Sequence, residues 1–158
     1  MITTVSTDAK AALSKGAGAD HVIKYTEIDF APEVRRITGG KGADVVYDSV
    51  GKTTFEGSLD SLRPRGYLVV FGSSSGPVPP FDLQVLNAKG SLFLTRPSLA
   101  MYSLTPEEIA WRAGDLFAAL RAGTLKLRIE HECPLADAAR AHTELEGRAT
   151  TGKLVLMP

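Results

Sequence analysis

Only one cysteine, Cys133, is present among the 158 residues of the sequence. A single thiol excludes an internal disulfide framework and any zinc site built from several thiolates, and it favours a reducing, cytoplasmic setting. Histidines are also few, and the three present, His21, His131 and His142, lie far apart and in no metal-ligand spacing. We therefore expect no bound metal.

An excess of charge is absent too, since eighteen basic residues balance eighteen acidic ones. No long-range field is then available to hold nucleic acid or an anionic membrane, so any anion must be bound by a local group of residues. The sequence has no run of eighteen apolar residues and no basic leader followed by an apolar stretch. These absences favour a soluble protein without nucleic-acid or membrane partners.

What the sequence does contain is a regular alternation of short apolar runs and amphipathic stretches, and 44% of its residues are hydrophobic. This alternation is typical of successive β-α units, and the length suits a single domain over residues 1–158. The predicted fold is a doubly wound α/β domain of the Rossmann type with a parallel sheet. Its strands are expected at 2–5, 21–23, 44–48, 67–71, 91–95, 126–129 and 153–156, and its helices at 8–15, 29–37, 53–62, 83–87, 105–122 and 136–146.

The first candidate site follows the first predicted strand. NAD-binding folds of this class place an acid there to accept the ribose hydroxyls, whereas NADP-binding ones need space and a cation for a phosphate. Here the strand ends in Ser6 and Thr7, Lys10 lies one helical turn further on, and Tyr25 follows the second strand. These residues suit a phosphate site, and equally an ordinary helix cap beside a solvated lysine. Asp8 is the one nearby acid that would favour NAD, but it also suits the first turn of a helix, where a negative charge complements the dipole.

Small residues follow the two clearest strands of the sequence. A small turn lets backbone approach a ligand closely, and ligands in open parallel sheets bind at the carboxyl ends of strands. Either segment could also be a simple connection between a strand and the next element. The residues concerned are Ser49, Val50 and Gly51 after the first of these strands, and Phe71, Gly72, Ser73 and Ser74 at the carboxyl end of the second.

Two arginines complete the set of candidate residues. Arg96 follows the predicted strand 91–95 directly, and Arg148 follows the end of the last predicted helix. A guanidinium in either position suits contact with a phosphate, but a solvent-facing role fits the local pattern as well.

Several motifs resemble those of one known family. They are ITGGK at 37–41, VVYDSVG at 45–51, FGSSSG at 71–76, KGSL at 89–92, TRPSL at 95–99, RAH at 140–142 and LEGRAT at 145–150. Over essentially its whole length the chain resembles the NADPH-dependent quinone oxidoreductases of the zeta-crystallin type, within the medium-chain dehydrogenase/reductase superfamily. TRPSL is the most specific of these motifs, whereas the Ser-Val-Gly turn recurs across the superfamily.

This resemblance implies roles for the candidate residues. It implies that Lys10 and Tyr25, with Ser6 and Thr7 beside them, hold the adenosine 2′-phosphate of NADPH. It further implies that the turn at 49–51 lies against the cofactor. The remaining implied contacts are those of Phe71, Gly72, Ser73 and Ser74 on the nicotinamide side, and of Arg96 and Arg148 with other cofactor groups.

The resemblance also implies an activity and an assembly. The activity is transfer of a hydride from NADPH to a quinone or a similar conjugated carbonyl, without a catalytic zinc. NADPH supplies the chemistry and the protein orients it, so no catalytic acid, base or nucleophile is assigned. The assembly is a homodimer that pairs through the edge strand predicted at 91–95, with Ser91 and Thr95 at its ends.

Two features depart from the family pattern. The sequence contains no Gly-x-Gly-x-x-Gly loop, and it has no counterpart of the family's amino-terminal substrate domain. In the strand order 3-2-1-4-5-6 the strand before that loop is central, between the strands predicted at 2–5 and 44–48. We therefore expect an incomplete sheet, a fragment of a longer protein, and no activity from the fragment alone.

Other functions fit parts of the pattern. An enoyl-thioester reductase belongs to the same chemical class, and only the substrate domain would separate it from a quinone reductase. A methyltransferase that binds S-adenosylmethionine also ends a central strand with a run like Asp44 to Asp48. A non-catalytic module would bind NADPH without turnover.

Overall fold

The computed structural model describes residues 1–147 and 150–158. The chain divides into two compact units, residues 1–101 and 102–158. Each unit consists of parallel strands connected through helices, which confirms the predicted α/β class. The single domain expected over residues 1–158 stays a prediction.

A two-stranded parallel sheet opens the first unit. Strand β1 (Ile2–Val5) pairs with β2 (His21–Lys24), and helix α1 (Asp8–Gly16) connects them. The helix begins where the sequence predicts, because the Thr7 hydroxyl oxygen accepts a hydrogen bond of 3.3 Å from the Lys10 backbone N–H. The carboxyl ends of β1 and β2 therefore lie side by side, with the start of α1 beside them.

A three-stranded parallel sheet forms the rest of this unit. Its order is β3-β4-β5. The elements in chain order are helix α2 (Phe30–Ile37), β3 (Ala43–Asp48), helix α3 (Phe55–Asp60), β4 (Leu62–Val70), helix α4 (Gln84–Ala88) and β5 (Phe93–Thr95).

Strand β4 differs from the prediction, because it begins at Leu62 and not at residue 67. The sequence predicts a turn at residues 63–66, between the helix at 53–62 and the strand at 67–71. Arg65 has a positive φ of 60°, which is typical of a turn. Pairing nevertheless starts at Ala43 with Leu62, shifts register, and continues from Val45 with Tyr67. A β-bulge thus accommodates the irregular residues within the strand.

The two sheets of the first unit are separate in the described residues. The break lies between β1 and β3, where the sequence predicts that a central strand is lacking. Helix α2 contacts both β2, in the first sheet, and α3, which packs on β4 of the second sheet. The packing of α2 therefore connects the two sheets. The phenyl ring of Phe30 takes the space that a side chain at Gly57 would need, with a ring carbon 2.6 Å from the position of a Cβ atom.

The largest cluster of buried apolar residues lies beneath α3. Phe55 packs edge-to-face on Phe81 with ring centroids 4.9 Å apart, and Leu59, Leu62 and Leu68 are almost fully buried. Close packing of such side chains supplies most of the stabilisation of a small domain. The cluster fixes the sheet to the helix and so sets the position of the loops that follow β3 and β4.

Arg35 connects the ends of three elements through backbone carbonyls. Its Nε donates to Asp60 O at 2.9 Å, and one terminal nitrogen donates to Leu62 O at 2.7 Å. The other donates to Gly40 O and Lys41 O at 3.2 and 3.3 Å. The guanidinium thereby satisfies carbonyl groups at the end of α3 and in the turn before β3.

The second unit contains helix α5 (Pro106–Arg121), strand β6 (Ile129–Pro134), helix α6 (Ala138–Glu146) and strand β7 (Lys153–Met157). Strands β6 and β7 pair in parallel. The strand predicted at 126–129 is wrong in position, because pairing begins only at Ile129. The segment that pairs with β7 is more polar than the one predicted, and its single buried side chain is Cys133.

No helix in the described part of the chain is long and apolar enough to cross a membrane.

Candidate functional site

The predicted site residues of the first unit follow the carboxyl ends of parallel strands. They form two groups, because the strands belong to two sheets. The first group follows β1 and β2, and the second follows β3, β4 and β5. The members are Ser6, Thr7, Lys10 and Tyr25 in the first group, and Ser49, Val50, Gly51, Phe71, Gly72, Ser73, Ser74 and Arg96 in the second.

Backbone hydrogen bonds hold the first group together. The Tyr25 N–H donates to Val5 O at 3.1 Å, and the Thr26 hydroxyl donates to Ser6 O at 3.2 Å. The segments after β1 and β2 are therefore in direct contact, and Lys10 lies in the first turn of α1 next to them. Tyr25 is about half exposed, at 47%, so its ring is available to a ligand.

The charges near the start of α1 are unequally paired. Lys24 Nζ lies 2.8 Å from an Asp8 carboxylate oxygen and 2.6 Å from one of Glu27, and these hydrogen bonds, that of Asp8 first, raise the pKa of Lys24. Among the described residues Lys10 has no ion pair. Lys10 is thus the cation that is free to meet an anion at this helix terminus, where the helix dipole also favours negative charge.

Asp48, the last residue of β3, organises the turn of the second group. Its Oδ1 accepts hydrogen bonds from the backbone N–H groups of Val50 and Gly51 at 2.8 and 3.0 Å. The hydroxyls of Thr54 and Ser58 donate to its Oδ2, each at 2.8 Å. The side chain is buried, so these donors replace the water that a carboxylate would otherwise bind.

The pKa of Asp48 is lowered below its usual range by the balance of two opposing effects. Removal of the carboxylate from water raises the pKa and is the largest single contribution. The hydrogen bonds from Gly51, Thr54, Val50 and Ser58 together outweigh it, because each of them favours the ionised form. Asp48 is therefore a buried carboxylate that stays charged at neutral pH.

The turn after β3 is joined to the loop after β4. Ser74 N–H donates to Ser49 O at 3.2 Å, and Ser75 N–H donates to Val50 O at 2.9 Å. The Ser75 hydroxyl also donates to Val50 O at 2.8 Å and accepts from the Thr53 N–H at 3.1 Å. The two segments form one hydrogen-bonded surface at the carboxyl ends of the strands.

Two glycines make this close approach possible. A Cβ atom at Gly72 would lie 2.4 Å from Ser49 O, which is too close for any side chain at this position. Gly51 has a φ of +85°, and a Cβ atom there would lie 2.9 Å from Gly76 O. Both glycines are thus required by the contact between the two segments.

A cavity of about 330 Å³ opens beside this surface. Gly72, Ser73 and Arg96 line it, so the structure brings together these three candidate residues. Its other walls are mainly apolar, and they are Phe55, Val70, Pro77, Val78, Pro79, Phe81 and Leu94. Apolar walls with a few polar groups and one cation are typical of a site for a ring-containing ligand with an anionic part.

Other predicted residues lie apart from this cavity. Phe71 is 53% exposed, and the lining of the cavity includes neither Phe71 nor Ser74. Arg96, which does line the cavity, donates to the adjacent Pro97 carbonyl at 2.9 Å. Arg148 lies outside the described residues.

The family of the chain follows from comparison with known proteins. The family model for zinc-binding dehydrogenases matches residues 17–156. This chain belongs to the zinc-binding dehydrogenase family. Its relatives within that family also confirm the resemblance to quinone oxidoreductases.

The chain is 48% identical to the quinone oxidoreductase of Pseudomonas aeruginosa over 158 residues, which are 100% of this chain and 49% of the relative. It is 46% identical to the 2-haloacrylate reductase of a Burkholderia species over 159 residues, 100% of this chain and 48% of that relative. The chain thus spans about half the length of these relatives.

A solved structure gives the same result for the fold. The Escherichia coli quinone oxidoreductase complexed with NADPH superposes with a TM-score of 0.95 and is 48% identical, over 99% of this chain and 49% of that one. The doubly wound fold expected from the sequence is therefore confirmed.

Zinc, which the family is named for, binds to cysteine, histidine and acidic side chains. Within residues 1–147 and 150–158, no three such side chains lie close enough together to hold an ion. The described part of the chain does not fit a zinc site.

Proposed function

We propose that this chain is the NADPH-binding part of an oxidoreductase that transfers a hydride from NADPH to a quinone or a similar conjugated carbonyl. The observation that carries the proposal is the joined surface of the 49–51 turn and the 71–76 loop, with Arg96 at the adjoining cavity. The relatives support it, because one is a quinone oxidoreductase, another reduces a 2-haloacrylate, and a solved relative holds NADPH.

The first group of residues would hold the adenosine end of the cofactor. Lys10 provides a positive charge without an ion pair among the described residues, and the amino end of α1 adds a partial positive charge. Ser6, Thr7 and Tyr25 provide hydroxyls beside it. The 2′-phosphate that distinguishes NADPH from NADH is the group that these residues suit.

The second group would hold the nicotinamide end. NADPH, when bound, supplies the hydride. Residues 49–51 and 71–74 present backbone at close range, and Arg96 adds a cation. These residues orient the cofactor. No side chain is proposed as acid, base or nucleophile, and no metal is required for this role.

Thermal unfolding with different ligands tests the cofactor. NADPH is expected to raise the Tm of the chain, because a ligand at 100 times its Kd adds about 2.7 kcal/mol to the free energy of unfolding. NADH is expected to raise it less. A rise with S-adenosylmethionine and none with NADPH would indicate a methyltransferase and refute the proposal.

Turnover is best tested in a chimera, because the chain spans about half of its relatives. Fusion of this chain to the remaining half of the Pseudomonas aeruginosa relative is expected to oxidise NADPH when a quinone is added. Loss of NADPH absorbance measures the rate. A folded chimera that binds NADPH but reduces neither a quinone nor a 2-haloacrylate would identify a non-catalytic binding module.

We also propose a homodimer in the cytoplasm. Within residues 1–147 and 150–158, strand β5 lies at the edge of its sheet and pairs only with β4, so its outer side is available to a second copy. The single cysteine suits a reducing compartment. Light scattering is expected to give twice the mass of one chain, and a monomer at all concentrations would contradict the assembly.

A further inference from the structure

Asp48 is the buried charged group that the proposed function does not use. Its carboxylate does not line the cavity, and its hydrogen bonds all go to the chain itself. The groups that it binds are nevertheless those that shape the proposed nicotinamide surface. Val50 and Gly51, whose N–H groups donate hydrogen bonds to Asp48, are two of the three residues of the 49–51 turn.

The geometry of this turn is transmitted to the loop after β4. The carbonyl of Val50 accepts from Ser75, and the carbonyl of Ser49 accepts from Ser74. When the N–H side of a peptide group is fixed by Asp48, its neighbouring carbonyls are fixed as well, because peptide units are planar. One carboxylate thereby orients both segments that the proposal places against NADPH.

We propose that Asp48 is a positioning residue for NADPH, which acts by holding the 49–51 turn, and through it the 71–74 loop, in the conformation that binds. This inference rests on the proposed function. Without the carboxylate the turn samples conformations other than the one that binds. Apparent affinity then falls in proportion to the fraction of molecules that stay competent.

Two substitutions at Asp48 give a graded test by titration of the full chain with NADPH. Asp48→Ala removes every acceptor, and the Kd for NADPH is expected to rise about tenfold, as for a turn that is competent in one molecule in ten. Asp48→Asn retains one carbonyl oxygen for the two N–H groups, and the hydroxyls of Thr54 and Ser58 can accept from its amide nitrogen. Its Kd is expected to rise only about threefold.

A pair of buried serines separates positioning from ordinary stabilisation. Ser58 and Ser61 are both almost fully buried, at 3% and 1% exposure. The Ser58 hydroxyl donates to Asp48, whereas that of Ser61 donates to Gly57 O at 2.7 Å, away from the turn. Ser58→Ala and Ser61→Ala should lower the urea midpoint similarly, but only Ser58→Ala should raise the Kd for NADPH.

A carboxylate on the same strand provides the second control. Asp44 is exposed and forms an ion pair with Arg63. Asp44→Asn should leave the Kd for NADPH unchanged. If Asp48→Ala does not fold, the serine pair and Asp48→Asn carry the test without it.

The outcomes separate this inference from the function on which it rests. A wild-type chain that does not bind NADPH refutes the proposed function and, with it, the role of Asp48. A wild-type chain that binds, with Kd values for the Asp48 and Ser58 variants within twofold of wild type, overturns only the positioning role. Equal increases in Kd for Ser58→Ala and Ser61→Ala also overturn it, since general destabilisation would then explain both.

Discussion

Replacement of Lys10 by alanine is the most direct test of how this chain would select NADPH. The lysine lies in the first turn of α1, and it has no ion pair within residues 1–147 and 150–158. The neighbouring Lys24 is already occupied by Asp8 and Glu27. Lys10 is therefore the one of these two cations whose loss should be felt by a bound phosphate.

The size of the effect follows from the kind of contact that is lost. A hydrogen bond to a charged group contributes about 1.5–3 kcal/mol. The nearby Asp8 carboxylate and partial exposure of the lysine reduce this value, so we expect a loss of about 1–3 kcal/mol of binding free energy. At 1.4 kcal/mol per factor of ten, the Kd for NADPH should rise about 5- to 150-fold.

Fluorescence titration with NADPH and NADH measures this change. NADH lacks the 2′-phosphate, so its Kd should stay within about twofold of wild type. Lys15, in the last turn of the same helix, offers a matched control, and Lys15→Ala should affect neither cofactor. Equal losses for NADPH and NADH in Lys10→Ala would refute the assignment of Lys10 to the phosphate.

Three further predictions concern stability and are measured by urea unfolding. Gly72→Ala places a Cβ atom 2.4 Å from a carbonyl oxygen of the neighbouring turn and should cost about 1–3 kcal/mol, whereas Gly16→Ala, which meets nothing within 4 Å, should be neutral or stabilising. The pKa of Asp48 is lowered in the folded chain, so its ionised form stabilises the fold fully above about pH 4, the usual pKa of an aspartate. This contribution to the free energy of unfolding is lost as the pH falls through the lowered pKa, and Asp48→Asn should lack that loss. Arg35→Ala leaves several carbonyls unpaired and should cost about 2–4 kcal/mol, while Arg36→Ala, which breaks an exposed ion pair, should lower the urea midpoint much less. A larger loss of stability for Gly16→Ala than for Gly72→Ala, or for Arg36→Ala than for Arg35→Ala, would contradict these arguments. So would an identical loss of stability at acid pH in wild type and Asp48→Asn.

The order of strands and helices could be predicted from the sequence, because apolar runs of β-branched residues alternate with capped amphipathic stretches. Thr7 and Thr105 mark helix starts in the sequence, and both hydroxyls cap their helices in the structure. Strand limits were harder to predict. The β-bulge in β4 and the position of β6 depend on pairing with β3 and β7, which are distant in sequence.

The candidate site was predictable in part for the same reason. The sequence shows that small residues follow the ends of strands. It does not show which groups donate hydrogen bonds to a given side chain. The sequence predicts Asp48 as the end of a strand. Nothing near it in the sequence indicates that the hydroxyls of Thr54, just before α3, and Ser58, within α3, donate to its carboxylate. The ion pair of Lys24 with Asp8 likewise depends on the register of β1 and β2. Such contacts are set by tertiary structure.

The separation of the first unit into two sheets has a consequence for hydrogen exchange. In the described residues strands β1 and β2 form a sheet only with each other, and β3, β4 and β5 form their own sheet. Opening of the smaller ladder breaks no bond in the larger one, so their amide protons should exchange with different protection factors. The adenosine end of a dinucleotide would then rest on the more readily opened part, and bound cofactor should slow exchange there most.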